Sequence, residues 1–204
     1  FDRSGIGLTH ADDRLLVWAV VVERKTVISS PMVLAIVSAV GKSPSFMMTF
    51  VEQFPKSPYA GAALFHQGEF AVEKEQYKEA QALLQRALEL MAPEYNLRPN
   101  AQFKLGVCLY EQKDYAGAAA AYGAVAANEK AGELAAEALF WKGKSLEDQG
   151  QPLPAREAYG QYVAKYPAGA LVLDAQLGAG RAALAAKKTA DARADLRKAL
   201  DLCA

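Results

Sequence analysis

The sequence predicts an all-α protein, an α-solenoid of stacked antiparallel helix pairs wound into a right-handed superhelix. Three observations predict it: a short pattern recurs four times, the apolar positions of each unit recur at helical spacing, and each unit has a break near its middle. A fixed period of this length is typical of repeat architectures, whose units stack only on their neighbours. The repeat therefore decides the fold class.

The first half of each unit carries the pattern Ala-x-[Phe/Leu]-x-x-Gly. Its glycines are 38, 37 and 37 residues apart, at Gly68, Gly106, Gly143 and Gly180. Glycine inside a helix costs about 1 kcal/mol relative to alanine. We therefore expect each glycine to be there because a neighbouring helix approaches closely.

The second half of each unit carries three further columns. An alanine lies twelve residues after each glycine, a large apolar residue follows four residues later, and a third apolar residue follows after three more. In chain order, the columns are Ala80, Ala118, Ala155 and Ala192; Leu84, Tyr122, Tyr159 and Leu196; and Ala87, Val125, Tyr162 and Ala199. The large column is expected to fill the grooves between helices of adjacent units.

These columns resemble the tetratricopeptide repeat, and the resemblance covers Pro58 to Ala204. It implies four helix-pair repeats at about 58–95, 96–132, 133–169 and 170–204. The spacing is longer than the family's period of about 34 residues. Together with the closing motifs Phe54-Pro55 and Tyr166-Pro167, it is similar to the repeats of bacterial cell-envelope proteins, the outer-membrane assembly lipoproteins and the Tol-Pal accessory protein. A periplasmic or outer-membrane location is what this likeness implies, with the cytoplasm left open.

Residues 1–57 do not follow the pattern fully. The phase predicts a second helix at about Ser45 to Gln53, whereas Pro31 limits its partner to a short helix over Met32 to Val40. The run Leu15 to Ile28 reads like a strand. The segment is either an atypical cap containing a degenerate half repeat or the remnant of an upstream domain.

Composition excludes several functions. The chain has 23 basic and 23 acidic residues, so no global charge favours nucleic acid or an anionic membrane. The longest apolar runs, Leu15 to Val22 and Pro31 to Val40, are much shorter than the roughly 20 residues of a membrane span. We predict no transmembrane helix and no nucleic-acid partner.

No motif predicts catalysis or a cofactor. The segment Gly178 to Ala183 fits a dinucleotide fingerprint, but Gly180 belongs to the repeat and no strand-helix alternation accompanies it. His10 and His66 are interpreted as lacking partners for a metal, and Cys108 as a small core residue. We interpret the charged side chains as solvent-exposed, including the neighbours Glu147-Asp148 and an Asp195–Lys198 pair on one helix.

The remaining candidate is the concave face formed by the first helices. In the tetratricopeptide family, contacts come from positions two, five, nine, twelve and thirteen of each repeat. Transferred to this chain, the candidate protein-binding residues are Phe65, Glu69, Asn100, Phe103, Tyr110, Glu137, Phe140, Lys144, Leu177 and Arg181. These residues depart from the family's carboxylate clamp, which has lysine and asparagine in these columns. A line of aromatic residues flanked by charges suits an apolar or amphipathic peptide, unless those aromatic side chains only pack the helices.

The sequence thus predicts a non-enzymatic scaffold that binds another protein or peptide. Two alternatives stay open. The repeats could be the accessory region of a longer enzyme, or copies could self-assemble through the last helix, Ala190 to Cys203.

Overall fold

The computed structural model describes residues 44–203, which form nine α-helices and one short 3₁₀ turn, with no strand in that range. The helices are α1 (Pro44–Gln53), α2 (Ala60–Glu73), α3 (Tyr77–Leu90), α4 (Arg98–Glu111), α5 (Tyr115–Ala126), α6 (Glu133–Asp148), α7 (Pro152–Lys165), α8 (Val172–Ala185) and α9 (Thr189–Asp201). The 3₁₀ turn, Glu129–Ala131, precedes α6.

Each helix packs on the next one along the chain, which gives four helix pairs preceded by α1. In the first three pairs the first helix also touches the first helix of the following pair: α2 touches α4, α4 touches α6, and α6 touches α8. The predicted all-α solenoid is confirmed. We call α2, α4, α6 and α8 the first helices and α3, α5, α7 and α9 the second helices.

The turn between the two helices of a pair has the same backbone in all four repeats. One residue adopts a left-handed conformation, with φ of 59° at Glu75, 64° at Lys113, 77° at Gly150 and 59° at Lys187. The next residue donates its N–H back across the turn, as Asp114 N does to the Leu109 carbonyl at 2.9 Å. This closure is the Schellman motif, which normally selects glycine at the left-handed position. Only the third repeat has glycine there.

The small and large columns meet inside each pair, whereas the sequence predicts the large column in the grooves between adjacent units; Tyr159 does both, because its ring also lies against Gly178 of the next repeat. A Cβ added to Gly106 would lie 2.8 Å from the Tyr122 ring, and one added to Gly143 would lie 2.8 Å from the Tyr159 ring. Both tyrosines are at most 1% exposed. Glycine at these positions therefore leaves room for the ring. The buried apolar residues form two clusters, one from α1 to α6 and the other over α6, α7 and α8.

The last repeat differs because no described helix packs against its far side. Leu196 fills the space beside Gly180 as its counterparts do, but it is only half-buried. Leu200, further along α9, is 69% exposed.

At the other end, α1 begins one residue before the predicted helix. Met47 and Phe50 are buried, as expected for the large and small columns. The aromatic residue of each closing motif contacts a ring four residues earlier, with centroids 5.6 Å apart for Phe50 and Phe54 and 5.5 Å apart for Tyr162 and Tyr166. The expectations for Leu15 to Ile28 and for Met32 to Val40 lie outside the described residues.

Two of the detailed interpretations can be judged from this architecture. The dinucleotide-like segment 178–183 lies entirely within α8, so it forms no strand-to-helix turn. The prediction that Asp195 and Lys198 form a pair on the helix surface is wrong, because Asp195 is buried and accepts a hydrogen bond from Arg156 Nε at 2.8 Å. Arg156 lies on α7, where it also contacts Asp191 at 2.9 Å, so this charge cluster joins two second helices.

Candidate protein-binding surface

The candidate residues lie on the first helices, and hydrogen bonds show that several of their columns face one another across adjacent repeats. Tyr110 on α4 donates to Asp148 on α6, and Arg181 on α8 donates to Glu147 on α6. These bonds join positions that are 38 and 34 residues apart in the sequence. We call the surface formed by these columns on the first helices the first-helix face.

The bridge between α4 and α6 is centred on Asp148. The Tyr110 hydroxyl donates to Oδ2 at 2.5 Å, while Lys144, one turn earlier on α6, reaches the two carboxylate oxygens at 2.7 and 2.8 Å. Burial raises the pKa of Tyr110, and its bond to the Asp148 carboxylate raises it further. The phenol therefore stays protonated and acts as a donor at physiological pH.

The bridge between α6 and α8 is centred on Glu147. Its carboxylate accepts from the Tyr159 hydroxyl at 2.8 Å and from two guanidinium nitrogens of Arg181 at 3.0 and 3.2 Å. Burial alone would raise the pKa of Glu147, but the bonds from Arg181 and Tyr159 outweigh it and hold this pKa below its usual value. The carboxylate is thus ionised at neutral pH and links three helices.

These contacts revise the interpretation of Glu147 and Asp148 as solvated charges. The two residues are adjacent in sequence and do not contact each other, as expected. Each instead binds a different neighbouring helix, because successive residues on α6 point about 100° apart around the helix axis.

Half-buried aromatic side chains form the centre of the first-helix face. Trp141 contacts the Tyr110 ring edge-on at 5.5 Å between centroids, stacks near Tyr122 at 6.3 Å and meets Phe140 at 5.9 Å. Phe140 in turn contacts Tyr159 at 5.7 Å. The cluster extends across α4 to α7 and keeps part of Tyr110, Phe140 and Trp141 open to solvent.

The fifth-position column divides into two kinds of environment. Phe65 and Phe103 are 2% and 9% exposed and belong to the hydrophobic core, whereas Phe140 and Leu177 are half-buried. A partner on this surface would therefore meet Phe140 and Leu177 much more than Phe65 and Phe103.

The other candidates are polar. Asn100 and Glu137 are exposed, and Glu69 lies beside His66, whose Nδ1 is 3.1 Å from Glu69 Oε2. Glu69 is thus an acidic neighbour of His66 that the sequence interpretation overlooked. Within residues 44–203 there is no group of three or more potential metal ligands.

Sequence reasoning missed Trp141, Glu147 and Asp148 as members of the surface. Trp141 is at position six, which the transferred columns omit, although it directly follows Phe140. The signal for the carboxylates was present, because Glu147 and Asp148 occupy positions twelve and thirteen of the third repeat, and Tyr110 was selected at position twelve of the second.

The architecture defines a helix-pair repeat protein with an exposed, partly aromatic first-helix face. The sequence profile of the tetratricopeptide repeat-like domain matches residues 38–179, and the chain belongs to this family. No curated protein sequence matches the chain significantly.

Solved structures with the same fold include other repeat proteins. YrrB, described as a tetratricopeptide repeat protein with an unusual peptide-binding site, has a TM-score of 0.68 and 21% identity, covering 93% of this chain and 92% of its own. A MamA protein has a TM-score of 0.64 and 17% identity, covering 81% and 85%. A MamA fragment from Desulfovibrio magneticus has a TM-score of 0.61 and 18% identity, covering 79% and 84%.

These identities establish a shared fold. In the part of the chain that the structure describes, no helix is both long and apolar enough to cross a membrane.

Proposed function

We propose that this protein is a non-enzymatic scaffold that binds a segment of another protein on its first-helix face. The observation that carries the proposal is the half-buried cluster of Tyr110, Phe140 and Trp141, bordered by charged side chains. Tyrosine and tryptophan offer a large apolar area with a polar edge, and such residues are enriched where proteins bind one another. The match to the peptide-binding protein YrrB supports the same role.

The inter-repeat bridges add a reason to expect binding here. The Tyr110–Asp148 and Glu147–Arg181 bonds link α4, α6 and α8, which favours this arrangement of the surface before a partner binds. A preformed surface loses less conformational entropy on binding than a flexible one.

A displayed library of random peptides tests this proposal. Selected peptides should lose affinity for the double variant Tyr110→Ala with Leu177→Ala, by about tenfold or more, because both half-buried side chains belong to the surface and neither change alters its charge. The matched control is Arg86→Ala with Glu89→Ala, which alters two exposed residues of the second helix α3. Circular dichroism and melting temperature check that both variants fold.

Equal affinity for the two double variants would contradict the proposal, because the selected peptides would then bind somewhere other than the first-helix face. Failure to select any peptide from a library that yields binders for other repeat proteins would also contradict it.

A narrower part of the proposal concerns location. The long repeat period and the two aromatic-proline closing motifs support a role as an assembly or accessory factor in a bacterial cell envelope. Fractionation of cells expressing the full-length tagged protein tests this. Recovery in the cytoplasmic fraction alone would reject the envelope role while leaving the scaffold proposal intact.

A further inference from the structure

We infer that the segment bound by the first-helix face is cationic and amphipathic, with lysine or arginine side chains beside the aromatic cluster. This inference rests on the proposed function and adds the chemistry of the partner. It follows from how charges are distributed on the face.

The face has an excess of unpaired acidic groups. The two cations of the contact columns, Lys144 and Arg181, already bind Asp148 and Glu147, respectively. Among the described residues, four exposed carboxylates of the same columns form no ion pair: Glu73, Glu111, Glu137 and Asp174. Lys104 on α4 and Lys142 on α6 are half-buried cations outside these columns, and neither forms an ion pair among the described residues.

This excess is local, because the whole chain has equal numbers of acidic and basic residues. A partner approaching the first-helix face therefore meets a negative surface, although the protein as a whole has no net charge. Within a Debye length of about 8 Å at physiological salt, the local groups dominate the interaction.

Two of the unpaired carboxylates lie close to the aromatic cluster. Glu137 precedes Phe140 and Trp141 on α6 by three and four residues, which places it on the same side of the helix. Burial raises the pKa of Tyr122, and the charge of Glu137 raises it further. Burial and Asp148 raise the pKa of Tyr110, and Glu111 adds to it. Glu111, which directly follows Tyr110 on α4, and Glu137 on α6 therefore lie at the border of the aromatic cluster.

A ring beside a carboxylate is a favourable site for a lysine or arginine side chain. The cation gains from the face of the ring and from a charge-assisted hydrogen bond to the carboxylate. Phe140 in the cluster, and Leu177 on the next first helix, offer apolar area on the same face. A segment with cations on one side and apolar residues on the other satisfies both kinds of contact, whereas an acidic segment or a nucleic acid would place like charges against Glu111 and Glu137.

Three synthetic peptides of equal length test the inference. One is amphipathic with lysine and leucine, the second replaces lysine by glutamate, and the third replaces leucine by glutamine. Their binding is followed by Trp141 fluorescence in a Trp18→Phe background, which leaves one tryptophan in the chain. The lysine-leucine peptide should bind at least about tenfold more tightly than the other two, and increasing salt should weaken it.

Two matched variants locate the charge effect. Glu111→Gln with Glu137→Gln should weaken the lysine-leucine peptide about tenfold. Glu79→Gln with Glu89→Gln changes the net charge equally, but on exposed residues of α3, and should change affinity less than about twofold.

The outcomes separate this inference from the proposed function. If the glutamate-leucine peptide binds as well as the lysine-leucine peptide and is displaced by a library-selected ligand, the cationic chemistry is wrong and the scaffold stands. If both double variants respond equally, the binding is diffuse electrostatics and the inference is rejected. If none of the three peptides binds while library-selected peptides do, the inference is again rejected and the scaffold stands.

Discussion

Arg181 on α8 donates from Nε to Glu147 Oε1 on α6 at 3.0 Å, joining the third and fourth repeats. The acceptor also binds the Tyr159 hydroxyl, so one carboxylate collects donors from two other helices. In a solenoid each repeat contacts only its neighbours, and each such junction contributes separately to stability. The ionisation of Glu147 should therefore change the stability of the junction between α6 and α8.

The first prediction concerns stability at acidic pH. The pKa of Glu147 is lower in the folded chain than in the unfolded chain, where a glutamate has a pKa of about 4.3. The stabilisation is thus complete above pH about 4.3 and is lost as pH falls through the folded pKa. Urea unfolding measured from neutral to acidic pH should show that Arg181→Gln reduces this loss, because the variant lacks the main donor that lowers the pKa.

Arg193→Gln is the matched control for this experiment. Arg193 is an exposed cation on α9 without an ion pair among the described residues. Arg193→Gln removes the same charge as Arg181→Gln. It should leave the pH dependence of the free energy of unfolding as in the wild type. An equal change in both variants would show that net charge, and not the Glu147 bridge, is responsible.

The second prediction concerns the close contact of Gly143 with Tyr159. A Cβ at Gly143 would lie 2.8 Å from the ring, and a Cβ at Gly178 on the opposite side would lie 2.7 Å from it. The fully buried ring is held between two helices and cannot move aside. Gly143→Ala should therefore lower the free energy of unfolding by about 1–3 kcal/mol, the usual cost of overpacking.

Gly160 on α7 provides the contrast. It is exposed, and a Cβ there would meet nothing within 4 Å. Gly160→Ala should raise stability by about 0.5–1 kcal/mol, because alanine is the better helix former. Chemical denaturation measures the free energy of unfolding of both variants. A destabilised Gly160→Ala together with an unchanged Gly143→Ala would contradict the prediction.

The sequence predicted these helix pairs because the interlocking residues belong to one repeating unit. Gly143 and Tyr159 are 16 positions apart, and the same pair of columns recurs in every repeat, so periodicity alone reveals them. The bridges between repeats were less predictable. Arg156 reaches Asp195 over 39 residues and Tyr110 reaches Asp148 over 38, in combinations that no other repeat shares.

The candidate surface shows the same difference. Phe65 and Phe140 occupy the same column, yet one is buried and the other half-exposed, because exposure depends on which side chains the adjacent helices present. Position in the repeat determines the direction of a side chain, and the neighbouring repeats determine its surroundings.

The third prediction concerns the two cysteines, both of which are free thiols. Cys108 on α4 is fully buried, and burial raises its pKa to about 11, so at pH 8 it is neither accessible nor ionised. Cys203 is exposed. A thiol reagent at pH 8 should modify Cys203 quickly and Cys108 only after denaturant is added. Mass mapping identifies the sites, and rapid labelling of Cys108 in the native protein would contradict its place in the core.

The last prediction concerns the left-handed residue that ends each first helix. Lys113 adopts φ of 64° in a turn whose counterpart in the third repeat is Gly150. A side chain in this conformation costs about 1–2 kcal/mol, and glycine avoids that cost while paying more entropy on folding. Lys113→Gly should therefore raise the free energy of unfolding by about 0.5–1 kcal/mol, and Gly150→Ala should lower it by about 1 kcal/mol.

Lys113→Ala separates the backbone effect from the loss of the lysine. It removes the same charge but keeps a Cβ at the left-handed position, so its stability should stay close to that of the wild type. If Lys113→Ala stabilised the protein as much as Lys113→Gly, the side chain of the lysine would be the source of the effect. Since each repeat has one such position, Glu75→Gly and Lys187→Gly should each add a similar increment, because the sites lie in different turns and contributions from distant sites add.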